Sequence, residues 1–134
     1  MSTFLLEIVT PERKVFAQDV DMIVAKGAEG ELGILPNHIP LVTPLKVAPI
    51  TVKQKGKNAY IAVNGGFMEV RKGTVVILAE SAELPEQIDI ERAKSSKERA
   101  EKRLTSKQDE IDFRRAEAAL QRAMNRIEVY EKNH

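Results

Sequence analysis

Apolar residues fall in short runs over the first part of the chain and at helical spacing over the last part. Phe4–Val9, residues 20–25, 50–53, 59–63 and 67–70, and Thr74–Ala79 are brief apolar runs bounded by turn-forming residues, a pattern that predicts strands. Thr10-Pro11 closes the first run and Lys26-Gly27 the second. Lys55-Gly56-Lys57-Asn58 and Arg71-Lys72-Gly73 predict two hairpin turns. Turn signals recurring about every ten residues favour an antiparallel sandwich or barrel over alternating strands and helices.

The pattern changes near residue 85. All seven glycines lie at or before Gly73 and all six prolines at or before Pro85, so the C-terminal segment contains neither helix breaker and is dense in Glu, Lys, Arg and Ala. This predicts a β domain over residues 1–84 and a two-helix arm over 85–134. Asp89 is the expected N-cap of a helix reaching about residue 104. Residues 105–109 have the composition of a turn, and Asp109 or Asp112 would cap the second helix. On that helix Phe113, Ala116, Leu120, Ala123, Ile127 and Tyr130 alternate spacings of three and four, a seam along one face. The first helix has a weaker seam of Ile90, Ala93, Ala100 and Leu104, interrupted by Lys97. Alanine seams bury little area, so the arm is expected to hold only marginally and to respond to a ligand or partner.

Composition narrows the chemistry. The chain has 134 residues, 43% of them hydrophobic, which is enough for a core. No cysteine is present, and the two histidines, His38 and His134, are too distant to suggest a metal site. No apolar run approaches the roughly 20 residues of a membrane helix. The N-terminal stretch lacks the pattern of a signal peptide. Net charge is +1, and acidic and basic residues interleave beyond Pro85, so nucleic acid is not expected as a partner. No nucleophile–base pair or phosphate-binding loop motif appears, which argues against an enzyme. Gly65-Gly66 reads as a tight bend where a side chain would not fit. Residues 29–38 read as a loop shaped by Gly and Pro, suited to protein docking. Arg92 and Arg99 share a face of the first helix, and Arg122 and Arg126 a face of the second. If the hairpin closes on these faces the guanidiniums converge, an arrangement suited to an anion; spacing alone favours a solvated charged face.

Gly30-Glu31-Leu32-Gly33-Ile34-Leu35-Pro36-Asn37-His38-Ile39-Pro40-Leu41 resembles the signature of the epsilon subunit of bacterial F-type ATP synthases. Gly65-Gly66-Phe67-Met68-Glu69-Val70 resembles a second landmark of that family. Arg114-Arg115-Ala116-Glu117-Ala118-Ala119-Leu120-Gln121-Arg122-Ala123 resembles its C-terminal helix. The resemblance spans essentially the whole chain. It implies an all-β sandwich of about ten strands followed by a C-terminal α-helical hairpin. It implies a non-catalytic rotor subunit, peripheral on the cytoplasmic face of the cell membrane, whose partners are the gamma subunit and the c-subunit ring, with Glu31 and His38 at the docking loop. It further implies that the arm reaches the alpha and beta subunits when extended and then restrains ATP hydrolysis. Ile88-Asp89-Ile90-Glu91-Arg92-Ala93 resembles the nucleotide motif of bacilli-like members. That likeness implies ATP as a regulatory ligand, not a catalytic cofactor, held by Glu83, Ile88, Asp89, Arg92, Ala93, Arg99, Arg122 and Arg126. The alternative is a stand-alone ATP-sensing module outside a motor.

Overall fold

Alternation of buried and exposed positions along Phe4–Val9 forms the first strand, β1, with Phe4, Leu6 and Ile8 turned inward. The remaining strands are β2 (Lys14–Val20), β3 (Met22–Gly27), β4 (Gly30–Ile34), β5 (Leu41–Gln54), β6 (Lys57–Arg71), β7 (Thr74–Ala79) and β8 (Ala82–Glu83). A 3-10 turn, Pro85–Gln87, leads to α1 (Ile90–Thr105) and α2 (Glu110–Asn133). This is a computed structural model, and it describes residues 2–106 and 109–133. Lys107 and Gln108 of the expected turn, and His134, lie outside the described residues.

The strands form one sheet in the order β2-β1-β7-β6-β5-β3-β4, with β8 added beside β6. Among the described residues only β1 and β7 pair in parallel. The sheet folds onto itself: Gln54 at the end of β5 donates to Gln18 Oε1 at 3.1 Å and to the Asp19 carbonyl at 2.7 Å, both on β2. Between the two faces of this sandwich sits one core drawn from every strand, including Leu6, Val20, Ile23, Ile34, Ile50, Ile61, Met68 and Ile77.

The described residues form eight continuous strands, where about ten were expected. Residues 50–53 are part of the 14-residue β5, and residues 59–63 and 67–70 are parts of the 15-residue β6. Gly65-Gly66, expected between strands, lies inside β6. There β6 exchanges one neighbour for another, pairing with β8 before the glycines and with β7 from Gly66 on. The run 20–25 straddles a break at Asp21 between β2 and β3. Residues 30–34, read as part of a loop, are the strand β4, because a two-residue turn at Ala28-Glu29 folds them back on β3. The hairpin at Lys55-Gly56 forms as expected, with both residues at positive φ.

In the arm, Asp89 caps α1 by accepting from the Arg92 amide at 3.1 Å. Asp109, not Asp112, caps α2, its carboxylate accepting from the Asp112 amide at 2.8 Å. Ala93 and Ala100 of α1 and Ala116 and Ala123 of α2 are buried where the helices meet. A second stripe on α2, which meets the expected seam at Tyr130, faces the sandwich. Val129 packs with Ala62 of β6 and Ile88, flanked by Tyr60 and Tyr130. Lys132 Nζ lies 4.9 Å from the Tyr60 ring centroid, a cation–π contact at the end of α2.

Candidate functional site

The end of β8, the capped start of α1 and the middle of α2 meet around a polar cavity of about 360 Å³. Its lining is Glu83, Gln87, Asp89, Arg92, Ala93, Ser96 and Arg126. Each segment is there for a local reason. The 3-10 turn turns the chain sharply after Leu84, whose amide donates to Gln87 Oε1 at 2.9 Å. Asp89 then ends the extended backbone and starts α1, which sets Arg92, Ala93 and Ser96 over the cavity. Arg126 reaches it from α2, where the seam of small alanines allows close helix approach.

One pair of charges in the cavity is matched. Arg126 Nε donates to Glu83 Oε1 at 2.7 Å, and both side chains are about three-quarters buried, at 27% and 23% exposure. Glu83 Oε1 also accepts from Asn64 Nδ2 at 3.4 Å. Asp89 is committed by one carboxylate oxygen to the helix cap. Arg92 has no ion-pair partner within 4 Å among the described residues and stands exposed at the rim. One free guanidinium beside a compensated one can take an anion, and two carboxylates nearby supply acceptors for hydroxyl or amino groups.

Of the eight residues expected at a nucleotide site, the structure gathers Glu83, Asp89, Arg92, Ala93 and Arg126 on the cavity wall. Ile88 is next in sequence but buried, 7% exposed, in the apolar cluster that seats α2; its side chain secures the arm. Arg99 is outside the lining and donates to Ser96 Oγ at 3.2 Å. Arg122 lies on α2 one turn before Arg126, half-buried and off the cavity wall. The four arginines therefore do not all meet: α1 and α2 each contribute one. Gln87 and Ser96 also line the cavity and were not singled out by sequence. Their spacing from Glu83 and Arg92, four residues in each case, was the available signal.

Glu31 is exposed on β4, opposite Lys26 in register. His38 is half-buried in the segment after β4, its Nδ1 2.7 Å from the Ile39 carbonyl oxygen. Next to them the outer face of the sheet carries an apolar patch: Phe67 pairs with Leu78 across β6 and β7 and with Pro44 across β5. Phe67, Leu78 and Val42 are 55%, 57% and 65% exposed, and Leu35 and Ile39 extend the apolar surface into the loop. Beside Phe67, the Arg71 hydrogen bond holds the surface Glu69 carboxyl below its usual range. Among the described residues no group of three His, Asp or Glu side chains is placed to hold a metal. No described helix is long and apolar enough to cross a membrane.

Comparison with known proteins matches both halves. Residues 3–85 match the family described as ATP synthase, Delta/Epsilon chain, beta-sandwich domain, and residues 86–131 match its long alpha-helix domain. The ATP synthase epsilon chain of Desulforamulus reducens is 58% identical over 126 residues, 94% of this chain and 96% of that one. The epsilon chain of Brevibacillus brevis is 59% identical over 130 residues, 96% of this chain and 98% of the relative. Among solved structures, a chain of the Euglena gracilis mitochondrial ATP synthase assembly of OSCP, F1 and c-ring superposes with a TM-score of 0.80. It is 26% identical, over 99% of this chain and 82% of the other.

Proposed function

This chain belongs to the ATP synthase delta/epsilon-chain family, and we propose that within such a motor it is a mobile brake on the rotor, released or engaged by ATP. The sandwich, residues 1–84, docks on the gamma subunit and the c-ring. The arm, residues 85–134, restrains ATP hydrolysis when it leaves the sandwich and extends towards alpha and beta. ATP filling the cavity favours the docked, permissive arm. Family members are non-catalytic epsilon chains of the complex, and the role of this chain is accordingly one of coupling and regulation.

One observation carries the reading. The cavity is built from three segments, and two of them, α1 and α2, belong to the arm. It is complete only with α2 seated on the sandwich, so a ligand filling it adds its binding free energy to the docked state alone. Arg92 and Arg126 supply cationic forks for a triphosphate; Glu83 and Asp89 supply acceptors for the nucleoside. The apolar patch of Val42, Phe67 and Leu78 fits docking, because it is contiguous, exposed and left uncovered by the arm.

Reconstituted complex tests both halves. Added full-length chain is expected to slow ATP hydrolysis at low ATP, and a chain ending at residue 84 to bind without slowing it. Equal hydrolysis with either chain would remove the regulatory half. The double substitution Phe67→Ser, Leu78→Ser should leave folding intact, since both side chains are exposed, and weaken association with gamma by roughly 100-fold, the scale of losing two anchors at about 1–2 kcal/mol each. Glu31→Lys should lower proton-coupled ATP synthesis while leaving ATP binding by the isolated chain unaltered. Unchanged association and coupling in these variants would move the docking surface elsewhere.

A further inference from the structure

Where α2 crosses β6, the contact is not wholly apolar. Asn125, 4% exposed, faces Asn64, 1% exposed, and no other polar residues in the described chain are so buried. Asn125 Nδ2 donates to the Val63 carbonyl at 3.0 Å and to Asn64 Oδ1 at 3.1 Å. Asn64 Nδ2 donates in turn to Ser81 Oγ at 2.9 Å and to Glu83 Oε1 at 3.4 Å. Arg126, next to Asn125 on α2, closes the circuit on Glu83.

The chemistry of Glu83 fixes every amide in this chain of contacts. An ionised carboxylate only accepts, so Asn64 must present its NH2 to Glu83 and its oxygen to α2. Asn125 must then present its NH2 to Asn64 and to the Val63 carbonyl. That leaves Asn125 Oδ1 buried with no donor among the described residues. A buried polar group without a partner opposes the docked state, because leaving the sandwich would hydrate it. The same pair works against misplacement: sliding α2 along β6 breaks two hydrogen bonds in a buried site. Well-packed apolar residues of matching volume at both positions would hold more tightly and select the seat less sharply, whereas alanine at one position leaves a void and the other amide short of its partner.

We propose that Asn64 and Asn125 form a latch that fixes where α2 sits on β6 and keeps that seat reversible. The latch gives a defined docked position, next to the Glu83–Arg126 pair of the cavity, without the grip of a full apolar contact. The inference rests on the reading of the arm as detachable but does not require ATP.

The absence of cysteine makes the test direct. Cysteines introduced at the exposed Asn58 and Glu117 of the full chain carry spin labels, and the distance distribution gives the docked and undocked populations without nucleotide. Asn125→Ala and Asn64→Ala are each expected to lower the docked-to-undocked ratio by up to roughly ten-fold, the scale of one lost buried hydrogen bond. The double variant should lower it by little more than either alone, since the two residues share one contact. An unchanged ratio in Asn125→Ala, or effects that simply multiply, would overturn the latch. If Asn64→Ala loses its β-sheet circular dichroism, Asn125→Ala measured beside Met124→Ala decides: the latch requires the larger loss at Asn125. Saturating ATP should restore docking in Asn125→Ala. Failure of that recovery, with the nucleotide-free shift present, would remove the ATP reading and leave the latch standing.

Discussion

Gly66→Ala is expected to abolish the folded β domain, whereas Gly65→Ala, one residue earlier, should leave it folded and only weakened. At Gly66 an added Cβ would lie 2.0 Å from the Leu78 carbonyl oxygen, 2.9 Å from the Ala79 Cα and 3.0 Å from the Leu78 carbonyl carbon. Every one of these is backbone of the adjacent strand β7, so no side chain can swing aside. Relief would mean parting β6 from β7 where Gly66 pairs with Ala79 and Phe67 with Leu78. The backbone there is also at φ +132°, which a non-glycine residue adopts only at a cost of about 1–3 kcal/mol. Steric exclusion on top of that strain exceeds the common range of single substitutions and approaches the whole stability of a small domain, about 5–15 kcal/mol. At Gly65, with φ +83°, the nearest atom to an added Cβ is Glu80 Oε2 at 3.6 Å, the end of a flexible chain. Only the backbone strain remains, roughly 1–2 kcal/mol. Denaturant titration followed by far-ultraviolet circular dichroism separates the two: a shifted midpoint for Gly65→Ala, no cooperative transition for Gly66→Ala. A cooperative transition for Gly66→Ala near that of the parent chain would show that β7 yields more easily than its pairing suggests.

This glycine pair also shows what the sequence could and could not convey. That a side chain would not fit here is legible from two adjacent glycines amid apolar residues, and it holds at Gly66; at Gly65 there is room, and the positive φ is the constraint. That they lie within a continuous strand is not legible, because continuity depends on β5 running alongside through both halves of β6. The same holds for β4. Gly30-Glu31-Leu32-Gly33-Ile34 has too little apolar patterning to look like a strand, and pairing with β3 makes it one. In the arm the composition break, the Asp89 cap and the alanine seam were all local signals, and each appears in the structure. The stripe that seats α2 was hidden because one of its members is Asn125, a polar residue whose burial is meaningful only beside Asn64, 61 positions away. The cavity was half legible. Glu83, Asp89, Arg92, Ala93 and Arg126 come together. Arg99 and Arg122 stay off its wall because shared spacing on a helix gives a face, whereas a cavity a few ångströms deep takes in one turn of it.

The second large effect is expected at Arg126. Arg126→Ala should weaken ATP binding by roughly 10- to 150-fold, the loss of charge-assisted hydrogen bonds worth about 1.5–3 kcal/mol, while lowering the nucleotide-free melting temperature by a few degrees. The two measurements separate because Arg126 has different work in each state. Without ligand it pairs with Glu83 at 2.7 Å, a largely buried pair whose loss leaves the Glu83 carboxylate unpaired at a cost of about 1–3 kcal/mol. With ATP it would also face the phosphates, where a planar fork on a polyanion has no substitute nearby except Arg92. Arg126→Lys keeps the charge and loses the fork, so intermediate affinity is expected. Arg92→Ala should weaken ATP binding too, with even less effect on the ligand-free chain, because its side chain is exposed and makes no ion pair among the described residues. In the parent chain, ATP at about 100 times its dissociation constant should stabilise the docked arm by roughly 2.7 kcal/mol. That is enough to reverse a marginal preference set by Val129, Ala62, Ile88 and an imperfect amide latch. In Arg126→Ala at the same ATP concentration the stabilisation should shrink to a fraction of this. Calorimetric titration gives the affinities, and melting curves with and without ATP give the linked stabilisation. Equal affinity in the parent chain, Arg92→Ala and Arg126→Ala, or a parent melting temperature that ATP does not raise, would return both arginines to the role of a solvated charged surface and leave the cavity without its ligand.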